Sequence, residues 1–196
     1  MKNPMRRLVA GVVLAGVSTI AVAGRGYRYL GVNEIAQEHS QWCWAASSVN
    51  VLGWYGNNQS QCNIVNWAYG RKDACTPAPF YWNSYANSPN ALYGGYGSVQ
   101  DILSSNGVSN LAYNYASSWN SIVSDVNANR PFVIRFGWYG GGGHIMVGYG
   151  YYDLGGTPMV GYMNPWPGEG YTWSNYSWTV YAAYDHSWTH TLRMRR

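Results

Sequence analysis

The first half of the chain carries hydrophobic residues at a helical period. In residues 43–56, apolar side chains recur three and four residues apart, and a glycine follows as a stop. Segments 60–70 and 98–107 each begin at a serine of the kind that caps helices and end at a glycine. A fourth helical pattern runs through 117–130 and is broken by Pro131. We therefore predict four helices in this half.

The hydrophobic period changes from helical to extended after Pro131. Runs of β-branched and aromatic residues, separated by glycine-rich turns, predict strands at 131–139, 144–153, 157–164, 177–182 and 187–192. A stretch rich in Pro, Asn, Tyr and Gly, from Thr76 to Tyr96, is predicted to be one long surface loop. Helices first and an antiparallel sheet second are typical of the α+β class.

The opening residues have the pattern of a secretory leader. The basic opening MKNPMRR precedes a short apolar run that ends at about Val22, and small residues follow. We predict a signal peptide over 1–23 and a single domain over 24–196. A membrane anchor is the alternative, but the run is short, is interrupted by glycine and hydroxyl residues, and no second hydrophobic segment follows. The mature chain is expected to be secreted or periplasmic, without stable membrane insertion.

Charge and composition narrow the classes of partner. The formal net charge is +4, and three of the basic residues lie in the predicted leader, so the mature chain is close to neutral and gives no indication of nucleic-acid binding. Charged residues make up 10% of the chain, whereas it contains 11 Trp and 19 Tyr. Such a surface suits an extracellular protein. Exposed aromatic faces also leave open a module that binds glycan or extended peptide.

Three cysteines in an exported chain imply one disulfide and one free thiol. Cys62 and Cys75 are near neighbours in a polar, turn-rich stretch, whereas Cys43 lies within a dense aromatic motif. We therefore predict a Cys62–Cys75 bridge, which closes a loop of about 14 residues and stabilises the fold by about 3 kcal/mol in the chain-entropy model. The cysteines lack the CxxC spacing of metal ligands, and neither a metal site nor another cofactor is predicted.

Cys43 is left free at the predicted N-terminus of the first helix, in the sequence QWCWAAS. A thiol attacks a carbonyl as the thiolate, and the unpaired N–H groups and the dipole of a helix N-terminus favour negative charge. Cys43 is therefore a candidate nucleophile. The alternative is a buried structural thiol packed between Trp42 and Trp44.

His144, Asn164 and Gln37 can supply the other functions that such a nucleophile needs. His144 begins a predicted strand after a glycine-rich turn, where its ring can act as a general base at the rim of a sheet. Asn164 ends the next predicted strand, and antiparallel pairing would bring it beside His144 to orient the ring. Gln37 precedes Cys43 closely enough to join its backbone N–H as an oxyanion donor. The alternatives are a satisfied core histidine and a simple Asn-Pro turn.

In these motifs the sequence resembles the papain-like cysteine peptidases. The resemblance rests on Gln37, WCWAAS, GGGGHIMVGYGYYD and MNPWPG, which keep the order of that family and span 37–168. Most similar are small bacterial members, namely the secreted effector peptidases of plant-associated bacteria and the leader-removing peptidases of bacteriocin exporters. The segment SQCNIVNWAYGRKDAC is similar to the one that follows the nucleophile in the secreted group.

The resemblance implies a papain-like α+β fold, with the nucleophile at a helix N-terminus and the helical part packed on a C-terminal antiparallel sheet. Cys43 would be the nucleophile, His144 the general base, Asn164 the orienting group and Gln37 an oxyanion donor. The expected activity is hydrolysis of a peptide or protein substrate by a secreted bacterial enzyme or effector, with a cognate inhibitor or immunity protein as a second class of partner. An amidase, deamidase or acyl transferase would use the same residues. A binding module with an inactive papain-like fold also stays open.

Overall fold

The computed structural model describes residues 26–76 and 84–195. The predicted signal peptide lies outside these residues, as does part of the predicted surface loop, residues 77–83. No helix within the described ranges is long and apolar enough to cross a bilayer.

Helices prevail in the described chain before Phe132, and strands prevail after it. The helices are α1 (Cys43–Trp54), α2 (Gln61–Tyr69), α3 (Val99–Ser105), α4 (Trp119–Asn127) and α5 (Tyr176–Val180), with a 3₁₀ helix at Tyr85–Asn87. The strands are β1 (Tyr27–Tyr29), β2 (Asn110–Tyr113), β3 (Phe132–Trp138), β4 (Gly143–Tyr152), β5 (Met159–Asn164), β6 (Gly170–Asn175), β7 (Tyr181–Ala182) and β8 (His186–Met194). The predicted α+β class is confirmed.

The four predicted helices are present, and local capping explains their ends. At α2, the Ser60 hydroxyl accepts a backbone hydrogen bond in the first turn, and Gly70 closes the helix in the left-handed region with a φ of 61°. At α3, the Ser98 hydroxyl accepts the equivalent bond. Helix α1 begins differently, because the residue before it is Trp42, whose side chain does not cap the helix. The N–H groups of its first turn can therefore interact with a negative charge.

The strands form one antiparallel sheet with β4 near its centre. The order is β2-β8-β3-β4-β5-β6, while β1 pairs with the end of β4 and β7 pairs with β8. Neighbouring residues of a strand point to opposite faces, so Ile145 packs with α1–α3 whereas Met146 packs with α4. The sheet is covered on both faces, and the helices α1–α3 lie against the face from which Ile145 projects.

The strand predictions need one correction and three additions. The strand predicted at 177–182 is wrong for its first part, because α5 forms one helical turn there before the short strand β7. Thr179 is fully buried in that turn, and its hydroxyl donates to the carbonyl of Asn175, a local bond that competes with extended structure. The sequence does not predict β1, β2 or β6. In β6 the aromatic residues Tyr171 and Trp173 lie on the exposed face and small residues lie inward, which inverts the usual alternation.

The predicted surface loop is partly buried in the described segment that follows residue 83. Two tryptophans explain why this segment is buried: Trp42, which directly precedes α1, and Trp44, in its first turn. The N–H group of a buried indole needs a hydrogen-bond acceptor. Trp42 Nε1 donates to the carbonyl of Ala86 at 2.7 Å, and Trp44 Nε1 donates to that of Ser88 at 3.0 Å. This segment therefore fastens the start of α1.

Candidate active site

Cys43, His144 and Asn164 line one cavity of about 570 Å³, which we call the catalytic cavity. Cys43 opens α1, His144 is the second residue of β4, and Asn164 is the last residue of β5. Antiparallel pairing places the start of β4 beside the end of β5. The other residues that line the cavity come from the approach to α1 and from turns of the sheet: Ser40, Gln41, Trp138, Gly142, Gly143, Trp166 and Glu169. Three of the four predicted site residues thus meet.

Backbone and hydroxyl contacts hold Cys43 against β4. One turn further along α1, Ser47 Oγ donates to the carbonyl oxygen of Ile145 at 3.0 Å. Ile145 directly follows His144 in the sequence. The backbone N–H groups of Ile145 and Trp44 favour negative charge on the Cys43 sulfur and act to lower the pKa of the thiol. Cys43 forms no disulfide, and although part of the residue is exposed, its thiol is largely surrounded by protein. The contacts between α1 and β4 therefore set the position of the sulfur relative to the imidazole.

Burial raises the pKa of the Cys43 thiol above its ordinary value. The backbone N–H groups and the positive charge of Arg135 act in the opposite direction, but burial outweighs them. An isolated thiol at this position is therefore mostly protonated at neutral pH, and the helix N-terminus alone does not activate it. Reactivity requires a proton acceptor in the same cavity.

Asn164 holds His144 in one tautomer. His144 Nε2 and Asn164 Oδ1 are 2.7 Å apart, and the same oxygen accepts the backbone N–H of Trp166 at 3.0 Å. A backbone N–H can only donate, so it identifies this amide atom as the oxygen, and His144 Nε2 must carry the proton of their hydrogen bond. In the neutral imidazole the other nitrogen, Nδ1, is then unprotonated. The ring thus presents a base on the side away from Asn164.

Two indoles enclose the His144 ring. Trp138 lies with its plane 20° from the imidazole at a centroid distance of 6.2 Å, and Trp166 meets the ring edge-on at 6.4 Å. His144 is 7% exposed, and burial lowers its pKa below 6.5, against the raising effects of the Asn164 hydrogen bond and the charge of Glu169. The lowered pKa favours the neutral imidazole, which is able to accept a proton.

Gln37 is not among the residues that line the catalytic cavity, and its amide is engaged elsewhere. Nε2 donates to the carbonyls of His39 and Ser40, both at 2.9 Å, while Oε1 is buried with no partner among the described residues. The Gln37 backbone N–H donates to the Pro165 carbonyl at 2.7 Å, which ties this segment to the end of β5. In this state Gln37 braces the turn before α1. Its amide must release a carbonyl before it can reach an oxyanion.

Comparison with known proteins gives the family. The model of the Peptidase_C39 like family matches residues 29–193, which is most of the chain. The chain belongs to the Peptidase_C39-like family. It is therefore a cysteine peptidase, a hydrolase. No curated protein matches the sequence.

Two solved structures resemble this Peptidase_C39-like chain in fold. The peptidase domain of Streptococcus ComA, a bifunctional ABC transporter involved in a quorum-sensing pathway, gives a TM-score of 0.55 at 12% identity over 82% of this chain and 95% of that chain. A structure from the mite allergens Blo t 1 and Der p 1 gives a TM-score of 0.55 at 14% identity over 84% of this chain and 67% of that chain. At these identities the likeness concerns the fold. It confirms the papain-like architecture that the sequence motifs implied.

The predicted disulfide of this Peptidase_C39-like chain is present and lies next to the Gln37 segment. It joins Cys62, in the first turn of α2, to Cys75. The neighbouring Gln61 is buried and holds the backbone of 36–38 through two hydrogen bonds of 2.7 and 3.0 Å. The start of α2 therefore supports the segment that carries Gln37.

The sequence contains one histidine pair with a spacing that can bind metal on a helix, His186 and His190, which the prediction disregards. Both residues lie on β8 and have different surroundings. His186 stacks on Phe136 at 3.8 Å, whereas His190 packs near Tyr93 at 5.4 Å. In the described parts of the chain, no group of three or more His, Cys, Asp or Glu side chains is placed to hold a metal ion.

Sequence reasoning missed several residues around the site. Trp166 had a usable signal, because it lies two residues after Asn164 in the motif MNPWPG. Gln41 had one as well, because it lies two residues before Cys43, and Trp138 lies in the glycine-rich segment GWYGGGG that leads to His144. Glu169 had none, since the turn after β5 brings it to the cavity. Its proximity to Cys43 is a property of the tertiary fold.

Proposed function

We propose that this chain is a secreted thiol peptidase that hydrolyses peptide bonds, with Cys43 as nucleophile, His144 as general base and Asn164 as orienting group. The observation that carries the proposal is the shared oxygen of Asn164, which accepts from both His144 and the Trp166 backbone. This arrangement leaves His144 Nδ1 unprotonated and able to act as a base. Cys43 lines the same cavity as His144. Family membership supplies the class of activity, and this geometry supports the assignment of residues.

In the first half-reaction, the Cys43 thiol gives its proton to His144 Nδ1, and the sulfur forms a bond to the carbonyl carbon of the scissile peptide. Burial disfavours either charge alone, whereas thiolate and imidazolium form together as neighbouring opposite charges. The carbonyl oxygen becomes an oxyanion beside the Cys43 backbone N–H. The C–N bond then breaks, and His144 gives the proton to the leaving amine.

In the second half-reaction, water attacks the thioester carbon while His144 Nδ1 takes a proton from that water. The C–S bond breaks, the acid product leaves, and the Cys43 sulfur recovers a proton through His144. Gln37 is proposed as the second oxyanion donor in both steps. This role requires its amide to turn away from His39 or Ser40 when substrate binds.

Action outside the cytoplasm is part of the proposal. The Cys62–Cys75 bridge supports it, because disulfides persist in oxidising compartments. Charged residues make up only 10% of the chain, which is consistent with the surface of an extracellular protein. We place the enzyme in the periplasm or medium, as a peptidase or effector acting on a peptide or protein, with a cognate inhibitor or immunity protein as a second partner.

The test is cleavage of a diverse peptide library by the mature protein, with products identified by mass spectrometry. Cys43→Ala is expected to lower the cleavage rate by roughly 10⁴-fold or more. Ser124→Ala, at an exposed position of α4, is the matched control and is expected to cleave at the wild-type rate. Cleavage by Cys43→Ala at the wild-type rate would remove the proposal.

Other chemistries of the same residues are separate outcomes of this experiment. Release of ammonia from Gln or Asn side chains, with the peptide backbones intact, would replace the peptidase by a deamidase. Transfer of the acyl group to an added amine, without hydrolysis, would replace it by an acyl transferase.

A further inference from the structure

A second cavity, of about 310 Å³, meets the catalytic cavity at the nucleophile. The two cavities share four residues: Gln41, Cys43, Gly142 and Gly143. Through Asn90 and Arg135 the second cavity adjoins a third one of about 270 Å³. A groove therefore continues past Cys43, away from Asn164 and Trp166, which line the first cavity and not the second.

Arg135 on β3 provides the charge of the second cavity, and neighbouring glycines make room for it. A Cβ atom on Gly143 would come within 2.4 Å of the Phe136 carbonyl oxygen and 2.9 Å of Arg135 Nη2, and one on Gly137 within 2.8 Å of Thr189 Cγ2 and 3.3 Å of Nη1. Nη1 donates to Thr189 Oγ1 at 2.8 Å, and Nη2 donates to the Gly142 carbonyl at 3.2 Å. The guanidinium is thus held in a fixed orientation at the wall of the groove.

The Arg135 guanidinium has spare donors and no carboxylate partner. Two of its five N–H donors make the hydrogen bonds just described, and no Asp or Glu within the described ranges forms a salt bridge with it. In contrast, Arg130 and Arg193, which are also partly buried, share the carboxylate of Asp125. Arg28, which is also partly buried, likewise lacks a carboxylate partner, but it donates to Asn127 and Asn129 and lines neither cavity. The spare donors of Arg135, in contrast, belong to a side chain that lines a groove leading from Cys43, and they are placed to bind a ligand there.

The proposed chemistry decides which half of a substrate passes Arg135. His144 gives its proton to the leaving amine, so the leaving-group half lies over His144 and Trp166 in the catalytic cavity. The acyl half, N-terminal to the scissile bond, then extends over the second cavity. The charges that line the two cavities are opposite, with Glu169 in the first and Arg135 in the second.

We propose that Arg135 selects substrates with an acidic side chain, Asp or Glu, on the N-terminal side of the scissile bond. This inference rests on the function proposed above and names the substrate class for that site. The spare N–H groups of the guanidinium bind the carboxylate through charge-assisted hydrogen bonds. A Gln side chain of the same length lacks the charge, and a Lys side chain is repelled. On the C-terminal side, an acidic residue faces Glu169 and is disfavoured.

The test uses peptides that are identical except for Glu, Gln or Lys, placed in turn at each of the first three positions on either side of the scissile bond. With the mature wild-type enzyme, we expect kcat/KM about tenfold higher for Glu than for Gln at one N-terminal position, and the lowest value for Lys. This ratio should fall as salt is raised, because ions screen a partly exposed charge pair. The absence of a Glu preference at all three N-terminal positions overturns the proposal.

Arg135→Gln is expected to bring the Glu-to-Gln ratio close to one. Arg195→Gln is the matched control, because it removes the same charge at an exposed position near the chain end and should keep the ratio of about ten. Arg135 also lies near the Cys43 thiol, but loss of that influence would slow Glu and Gln peptides alike. A uniform loss with an unchanged ratio would therefore assign Arg135 to the thiol and overturn the proposal.

Equilibrium binding of the same peptides to Cys43→Ala protein gives a readout that does not depend on cleavage or on the folding of an Arg135 variant. The Glu peptide is expected to bind about tenfold more tightly than the Gln peptide, and equal binding overturns the inference. If wild-type protein cuts no peptide but this preference is present, the peptidase proposal fails and the specificity stands. If the protein cleaves peptides but shows no preference for Glu, the peptidase proposal stands and the specificity proposal fails.

Discussion

The helical part and the sheet contribute to the site in different ways. Helix α1 supplies Cys43 and surrounds its sulfur with backbone groups, among them the N–H of Trp44. The sheet supplies His144 and Asn164, and a side-chain hydrogen bond of 2.7 Å sets the orientation of the imidazole. The proposed nucleophile is thus positioned by backbone, whereas the proposed base is positioned by side chains.

This difference teaches that neither part is reactive by itself. Burial raises the pKa of the Cys43 thiol and lowers that of the His144 imidazole, so each group is neutral when considered alone. Reactivity arises where the two parts meet. Two hydrogen bonds hold that junction, from Ser47 Oγ to the Ile145 carbonyl and from the Gln37 N–H to the carbonyl that follows Asn164 in the chain.

On the helical side, the largest effect on activity short of removing the nucleophile is expected from Gln37→Ala. If the Gln37 amide turns to donate to the oxyanion, kcat falls by about 10²- to 10³-fold with little change in KM. Steady-state kinetics on the best library peptide give both constants. Thermal unfolding of the variant checks that the turn before α1 is retained.

Gln41 provides the matched control for that prediction. It lines the catalytic cavity, and its side-chain amide makes no hydrogen bond within the described residues. Gln41→Ala is expected to change kcat/KM by less than about tenfold. A larger loss in Gln41→Ala than in Gln37→Ala would transfer the oxyanion role to Gln41.

On the sheet side, Asn164→Ala is expected to lower kcat by about 10- to 100-fold, because the His144 ring loses the acceptor that fixes its orientation. Asn164→Asp keeps an acceptor and should retain more activity. Its negative charge raises the pKa of His144, so the acid limb of kcat/KM should move to higher pH. Full activity in Asn164→Ala would show that β4 alone orients the imidazole.

The smallest effect on activity is expected from removing the disulfide. The double variant Cys62→Ala, Cys75→Ala should lose about 3 kcal/mol of unfolding free energy in urea denaturation. At a temperature where the variant stays folded, kcat/KM should remain within about twofold of wild type, since the bridge lies outside the catalytic cavity. A loss as large as that of Gln37→Ala would show that the hold of Gln61 on 36–38 depends on the bridge.

Local rules predicted the ends of elements and therefore most of the candidate site. A capping serine and a stop glycine mark α2, and runs of β-branched and aromatic residues between glycine-rich turns mark β4 and β5. Cys43, His144 and Asn164 each lie at or next to the end of an element, so their order and placement could be predicted from the sequence. The short helix α5 could not, because a single turn carries too few residues to show a helical period.

The finer chemistry depends on contacts between segments that are distant in the chain or lie in turns. The tautomer of His144 follows from the Trp166 backbone N–H, whose direction is set by the turn after β5. The room for Arg135 depends on Gly137, which the sequence places in a predicted strand, and on Gly143, which it places in the turn before His144, and nothing in the sequence indicates that both lie against this side chain. The engaged state of the Gln37 amide was also not predictable, because its acceptors are backbone carbonyls of a tight turn.

The central claim, that His144 activates Cys43, is tested most directly by the rate of iodoacetamide alkylation between pH 5 and 9. With Cys62 and Cys75 bridged, Cys43 is the one free thiol of the chain. We predict that wild-type Cys43 reacts much faster than free cysteine at pH 6. Its rate should decline at lower pH, where the His144 imidazole becomes protonated. In His144→Ala, Cys43 should react no faster than free cysteine, because burial raises the pKa of the thiol. A wild-type rate at or below that of free cysteine, or an unchanged rate in His144→Ala, would contradict the account.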